Sequence, residues 1–119
     1  MATVVAITSI KFSEEQKKQF IDKTVDAVCD SLNLSRKFRS IMLIPLEENC
    51  YCENVEGQIT FFVYSAPNKT VEQKRELVKR LNQVMLDLVG YQGVMKVVVI
   101  IKEHSNENCG VDGVLRVDA

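Results

Sequence analysis

Two stretches, Ser13–Leu32 (SEEQKKQFIDKTVDAVCDSL) and Thr70–Val89 (TVEQKRELVKRLNQVMLDLV), are two versions of one segment. Ser13 lines up with Thr70, and Glu15-Gln16-Lys17 with an identical Glu72-Gln73-Lys74. Each opens on a hydroxyl residue with Gln three positions later, the arrangement that satisfies free N–H groups at a helix start from both sides. Apolar residues then recur at helical spacing: Phe20, Ile21, Val25, Val28 and Leu32 in one, Leu77, Val78, Leu81, Met85 and Leu88 in the other. Both periods run to a helix-breaking residue, Asn33 in the first copy and Gly90 in the second.

Outward from the helices lie four apolar runs. TVVAITS (3–9) precedes the first helix and SIMLIPL (40–46) follows it; ITFFVYS (59–65) and KVVVIIK (96–102) flank the second. The order is therefore βαββαβ, an α/β (α+β) fold made of a tandem β-α-β repeat. We expect one domain over 1–119, with repeats at about 2–47 and 58–104 and a tail at 105–119. VVAI, IMLI, FFV and VVVII are continuously apolar, the pattern of strands buried on both faces. Two helices cover only one face of a four-stranded mixed sheet, so the pattern predicts an obligate oligomer whose other copies cover the second face.

Composition narrows the partners. Fifteen basic and sixteen acidic residues give a formal charge of −1, which supplies no broad electrostatic footprint for nucleic acid or an anionic membrane. The longest apolar runs fall far short of the ~20 residues a bilayer span needs, and the amino-terminal stretch lacks the pattern of a secretory signal. The expectation is a cytoplasmic protein with reduced thiols. Cys29 falls in the first helix and reads as a small buried hydrophobe. Cys50 and Cys52 form C-x-C in an acidic loop, EENCYCEN, without the C-x-x-C spacing of zinc or redox sites, so no metal or cofactor is expected. His104, the one histidine, reads as a satisfied residue at a strand end.

Two fold families share the order βαββαβ. A ferredoxin-like domain with an RNA-binding role needs aromatic and basic residues on its sheet, and these strands are mainly aliphatic. A metal-chaperone version needs paired cysteines after the first strand, where the chain reads TSIKFS. The second family fits better. The strand that starts at the second or third residue, the helix openings S-E-E-Q-K and T-V-E-Q-K, and the tail IKEHSNENCGVDG together resemble the tautomerase superfamily. The likeness is to 4-oxalocrotonate tautomerase and its double-length relatives, malonate semialdehyde decarboxylase and cis-3-chloroacrylic acid dehalogenase, and it covers essentially the whole chain.

That resemblance implies a homotrimer acting on small keto or enol acids. Relatives use an amino-terminal proline, exposed by loss of the initiator Met, as general base or acid. Here the matching residue is Ala2. With Met1 removed, a primary amine stands there; an α-amine titrates near pH ~8 when unperturbed and lower when buried. It can carry a proton or form an imine with a carbonyl. The resemblance further implies a cationic cluster for the substrate carboxylate. The relatives' Gly-Arg-Ser/Thr stretch reads APNKT here, with Lys69 at the arginine position and Asn68 at the glycine; Arg75 and Arg39 are further candidates. Cys109 stands where the relatives' tail carries tryptophan and, with Tyr64, is expected to wall the pocket. The leading expectation is an isomerase-like proton transfer without the proline base. The competing expectation is a catalytically silent trimer that binds a small anion or a protein.

Overall fold

The structure is a computed structural model that describes residues 2–37, 39–93 and 96–119. The main elements follow the sequence: β1 (Ala2–Thr8), α1 (Glu14–Leu32), β2 (Ser40–Pro45), β3 (Gln58–Ser65), α2 (Val71–Gly93) and β4 (Lys96–Glu103). A small two-stranded ribbon, β5 (Gly110–Val111) and β6 (Val114–Leu115), ends the chain. Both helix starts form the reciprocal box expected of them. Ser13 Oγ accepts from Gln16 N–H at 3.1 Å while Gln16 Oε1 accepts from Ser13 N–H at 2.8 Å. Thr70 and Gln73 repeat the pattern at 3.1 and 2.9 Å. α1 stops at Asn33, whose left-handed conformation (φ 56°) its short polar side chain tolerates. Gly90, at φ 71°, does not stop α2 but kinks it, and the helix resumes as far as Gly93; a side chain there would be strained.

The sheet runs β2-β1-β3-β4, with β1 parallel to β2, β3 parallel to β4, and the two halves antiparallel across β1 and β3. Alternation sends Val4, Ala6, Ile59, Phe61 and Val63 under the helices, where they meet Phe20, Leu32, Leu77, Leu81 and Met85. Phe20 lies stacked on Phe61 with ring centroids 5.8 Å apart. Cys29 sits in this layer, 4% exposed, and burial pushes its thiol pKa up.

The opposite face carries no layer of its own. One row across it reads Met42, Val5, Phe62 and Ile100, and the next reads Ile44, Ile7, Thr60 and Val98. Met42 is 46% exposed, Ile44 45% and Ile100 48%. This explains the unbroken apolar runs: half of each run packs under the helices, and half faces outward as a continuous apolar surface.

Candidate functional site

The topology gathers the candidate residues at one end of the sheet. Ala2 opens β1 and pairs with Ser65, the last residue of β3; Ser65 pairs in turn with Glu103, the last residue of β4. All three lie on the helix side, with Ala2 4% exposed and Ser65 fully buried. The start of α2 and the end of α1 reach the same end, because each helix runs back against the strand before it. Here the loop Ala66–Thr70 turns from β3 into α2. Asn68 adopts φ 72° in that loop, a left-handed conformation that Asn tolerates better than most residues.

Several candidate cations are engaged within the chain. Lys69 Nζ donates to the carbonyl of Leu32 at 3.2 Å, at the negative end of α1. Arg75 pairs with Glu72 on its own helix, and Arg39 with Asp22 on α1 at 2.9 Å. Arg36 bridges Asp26 and Asp30 at 3.0 and 2.7 Å.

Glu103 is tied more closely. Its Oε1 forms an ion pair with Lys74 Nζ at 2.9 Å, although it meets no donor in hydrogen-bond geometry among the described residues. The Lys74 ammonium, ahead of the backbone amides of Lys69 and Asn68, holds the Glu103 pKa below the ordinary carboxylate value.

The uncovered side of this sheet end differs in character. Thr3, Tyr64 and Lys102 stand in one cross-strand row there, with Ser40 completing it on β2. Ser40 Oγ donates to Thr3 Oγ1 at 3.4 Å. The ladder extends one residue past β4, since His104 N–H donates to the Ser65 carbonyl at 2.9 Å. Alternation therefore carries His104 to the same side as Lys102. Its Nδ1 is shielded from solvent and has no partner among the described residues. The residues beside Ala2 thus form a helix side closed by Glu103 and Lys74 and an outer side lined by Tyr64, Lys102 and His104. Lys102 was not singled out from the sequence, where it reads as the terminal lysine of an apolar strand.

Cys109 follows the 3-10 turn Asn106–Asn108 and is a free, partly exposed thiol. Its carbonyl accepts from Arg116 N–H at 2.8 Å, which closes the tail on itself. The tail's Val111, Val114, Leu115 and Val117 are each 44–52% exposed. Cys50 and Cys52 are free and exposed in the loop at the opposite end of the sheet, close to the Lys11–Glu48 pair. Among the described residues no group of three or more His, Cys, Asp or Glu side chains is arranged to hold a metal ion. No described helix is long and apolar enough to cross a membrane.

This double β-α-β architecture is that of known tautomerase-like proteins. The chain superposes on the R7 fused 4-OT, described as an asymmetric trimer, with TM-score 0.83 at 19% identity, covering 97% of this chain and 96% of that one. Pt0534 inactivated by 2-oxo-3-pentynoate matches with TM-score 0.76 at 23% identity over 96% and 93%. Malonate semialdehyde decarboxylase matches with TM-score 0.72 at 17% identity over 91% and 88%. Comparison with curated protein sequences gave no match. The Tautomerase family model, described as tautomerase enzyme, matches residues 62–119, the repeat that contains Lys69, Lys102 and His104. The second half of the chain thus matches a tautomerase family model, and the chain as a whole has the fold of these tautomerase-like structures.

Proposed function

We propose that the chain is one subunit of a homotrimer that binds a small keto or enol carboxylic acid beside Ala2 and moves a proton on it without a proline base. The observation that carries this reading is the position of Ala2. It is the first residue of β1, buried at the sheet end where the loop before α2 brings Lys69 and where Glu103 and His104 close β4. With Met1 removed, the α-amine of Ala2 stands at that end and serves as the proton carrier. Lys69, Arg75 and Arg39 are the cations for the substrate carboxylate, with Tyr64 and Cys109 walling the pocket. Exposed ion pairs such as Arg75–Glu72 and Arg39–Asp22 are worth at most about 1 kcal/mol, so a ligand carboxylate competes with them on equal terms.

Trimerisation follows from the apolar outer face of the sheet and from the tail, whose exposed Val111, Val114, Leu115 and Val117 supply further surface for a neighbouring copy. The solved relative named as a trimer supports the same assembly. We place the protein in the cytoplasm, where its free cysteines stay reduced.

The engagement of Lys69, Arg75 and Arg39 within the chain favours a second reading, a trimer that binds an anion or a protein without turning it over. One experiment separates the two. Intact mass of the native protein establishes whether Met1 is present, and ketonisation of phenylenolpyruvate and 2-hydroxymuconate is then measured for the parent and for Ala2→Pro and Lys69→Ala. Activity in the parent that falls in Lys69→Ala supports the catalytic reading. A silent parent that gains activity as Ala2→Pro overturns it and leaves the binding pocket.

A further inference from the structure

We propose that Cys50 and Cys52 form a reversible disulfide, a redox switch in the segment that joins the two repeats. The inference goes beyond the reading above and does not depend on the site beside Ala2. Cysteine is among the residues most often buried, and Cys29 follows that rule. Cys50 and Cys52 do not: both are free and exposed, with only Tyr51 between them. Their backbones are held in place. Cys50 N–H donates to Glu47 O at 3.1 Å and Val55 N–H to Cys52 O at 2.9 Å, so one turn ends on the first cysteine and the next begins on the second. Two residues of fully extended chain span about 7 Å. The backbone is bent at Cys50 and Tyr51, which brings the two Cα atoms inside that span and into the range of about 4.4–6.8 Å that a disulfide bridges.

The segment is pinned on both sides of the pair. Lys11 meets Glu48 at 2.6 Å ahead of it. Behind it, Ser9 Oγ donates to Val55 O at 2.6 Å and accepts from Gly57 N–H at 3.0 Å. The two thiols therefore stay neighbours, while Cys29 is buried under the helices and Cys109 lies in the tail beyond the other end of the sheet. Glu47, Glu48, Glu53 and Glu56 share the segment. Like charge keeps so acidic a stretch away from its own copies, unlike the apolar outer face of the sheet. A disulfide of the glutathione class is the oxidant. One protein thiolate attacks it, forming a mixed disulfide and releasing one glutathione thiol. The second protein thiolate attacks the cysteine sulfur of that adduct, closing the Cys50–Cys52 bond and releasing the second. The cysteines give up two electrons and two protons, and the glutathione disulfide takes them. The carboxylates beside the pair repel the anionic adduct and favour its displacement by the neighbouring thiol. A ring closed over one intervening residue is strained and exposed, which makes it a bond that reduced glutathione reopens rather than a permanent staple.

The test equilibrates the native protein with glutathione disulfide, quenches free thiols by alkylation, and reads intact mass and peptide maps. The expected result is the loss of two of the four thiols and of about 2 Da, mapped to Cys50 and Cys52 and fully reversed by excess reduced glutathione. Cys50→Ser and Cys52→Ser each retain one glutathione on the remaining cysteine, because the thiol that would displace it is gone. Cys109→Ser closes the bond as the parent does. A parent that keeps all its thiols, or that carries glutathione without the mass loss, overturns the inference. So does a bridge to Cys109 or between copies on a non-reducing gel, and so does a Cys50–Cys52 bond that excess glutathione fails to open.

Discussion

Replacing Ile100 with Asp tests the proposed trimer. Ile100 ends the apolar row Met42–Val5–Phe62–Ile100 on edge strand β4, and 48% of it is exposed in the single chain. Full burial of an isoleucine side chain contributes ~3 kcal/mol at the upper end, so covering the remaining half contributes about 1 kcal/mol per copy. Aspartate removes that term and adds the cost of enclosing an unpaired carboxylate, several kcal/mol in practice. A closed trimer repeats the substitution three times, and the summed penalty is on the order of 10 kcal/mol, about seven decades in the assembly constant. Within one chain the cost is small, because the residue already faces water.

Light scattering after size exclusion, run across two decades of concentration, reads the outcome. The parent is expected at three times the 13.5 kDa of the chain, and Ile100→Asp at 13.5 kDa with an unchanged far-ultraviolet dichroism spectrum. Glu76→Gln, on the outer surface of α2 in a pair with Arg80, is the control and stays trimeric. A parent at 13.5 kDa throughout, or an Ile100→Asp variant at the parent's mass, would refute the argument that the outer sheet face is an interface.

Three further outcomes follow from the core and the caps. Thr24 is fully buried and its Oγ1 has no partner among the described residues, so Thr24→Val, which keeps the shape and removes the unpaired hydroxyl, raises stability by about 1 kcal/mol in urea unfolding. A lower midpoint would mean that the hydroxyl has a partner in solution. Ser13→Ala and Thr70→Ala each remove one reciprocal cap and cost about 1 kcal/mol, with matching losses in the two repeats; a loss confined to one would show that the repeats do not depend on their caps alike. The Glu103 pKa lies below its usual 4.5 through the Lys74 bond and the amides of Lys69 and Asn68. A depressed carboxylate contributes stability that is present above its unfolded pKa and is lost as pH falls through the folded one. Glu103→Gln therefore has a shallower decline in stability below pH 4.5 than the parent; equal acid slopes would show that the pair contributes nothing to folding.

Most of the fold was legible because it is written twice. The Ser13 and Thr70 caps, the helical apolar stripes and the strand runs each occur in both halves, and the structure realises all of them. Continuous apolar strands also announced that both sheet faces avoid water, although one chain covers only one of them. The site was less legible. Lys69 and Arg75 were found as charges near a helix start, but charge in sequence does not say whether a side chain is already occupied, and both are. Lys102 was missed because a lysine closing an apolar strand has the same local pattern as the gatekeeping charges of edge strands. Only the sheet register, which is non-local, places it beside Tyr64.

The two halves also differ in how the matching lysines of their helices are used. In the first repeat Lys17 matches Lys74, but the position matching Glu103 is Pro45, and Lys17 turns instead to Glu14 on its own helix at 2.9 Å. Glu103 is thus what pairs Lys74 across to the end of β4. The Lys69 ammonium of the loop before α2 is already engaged by the Leu32 carbonyl, so an incoming acid has to compete with the chain's own acceptor for it.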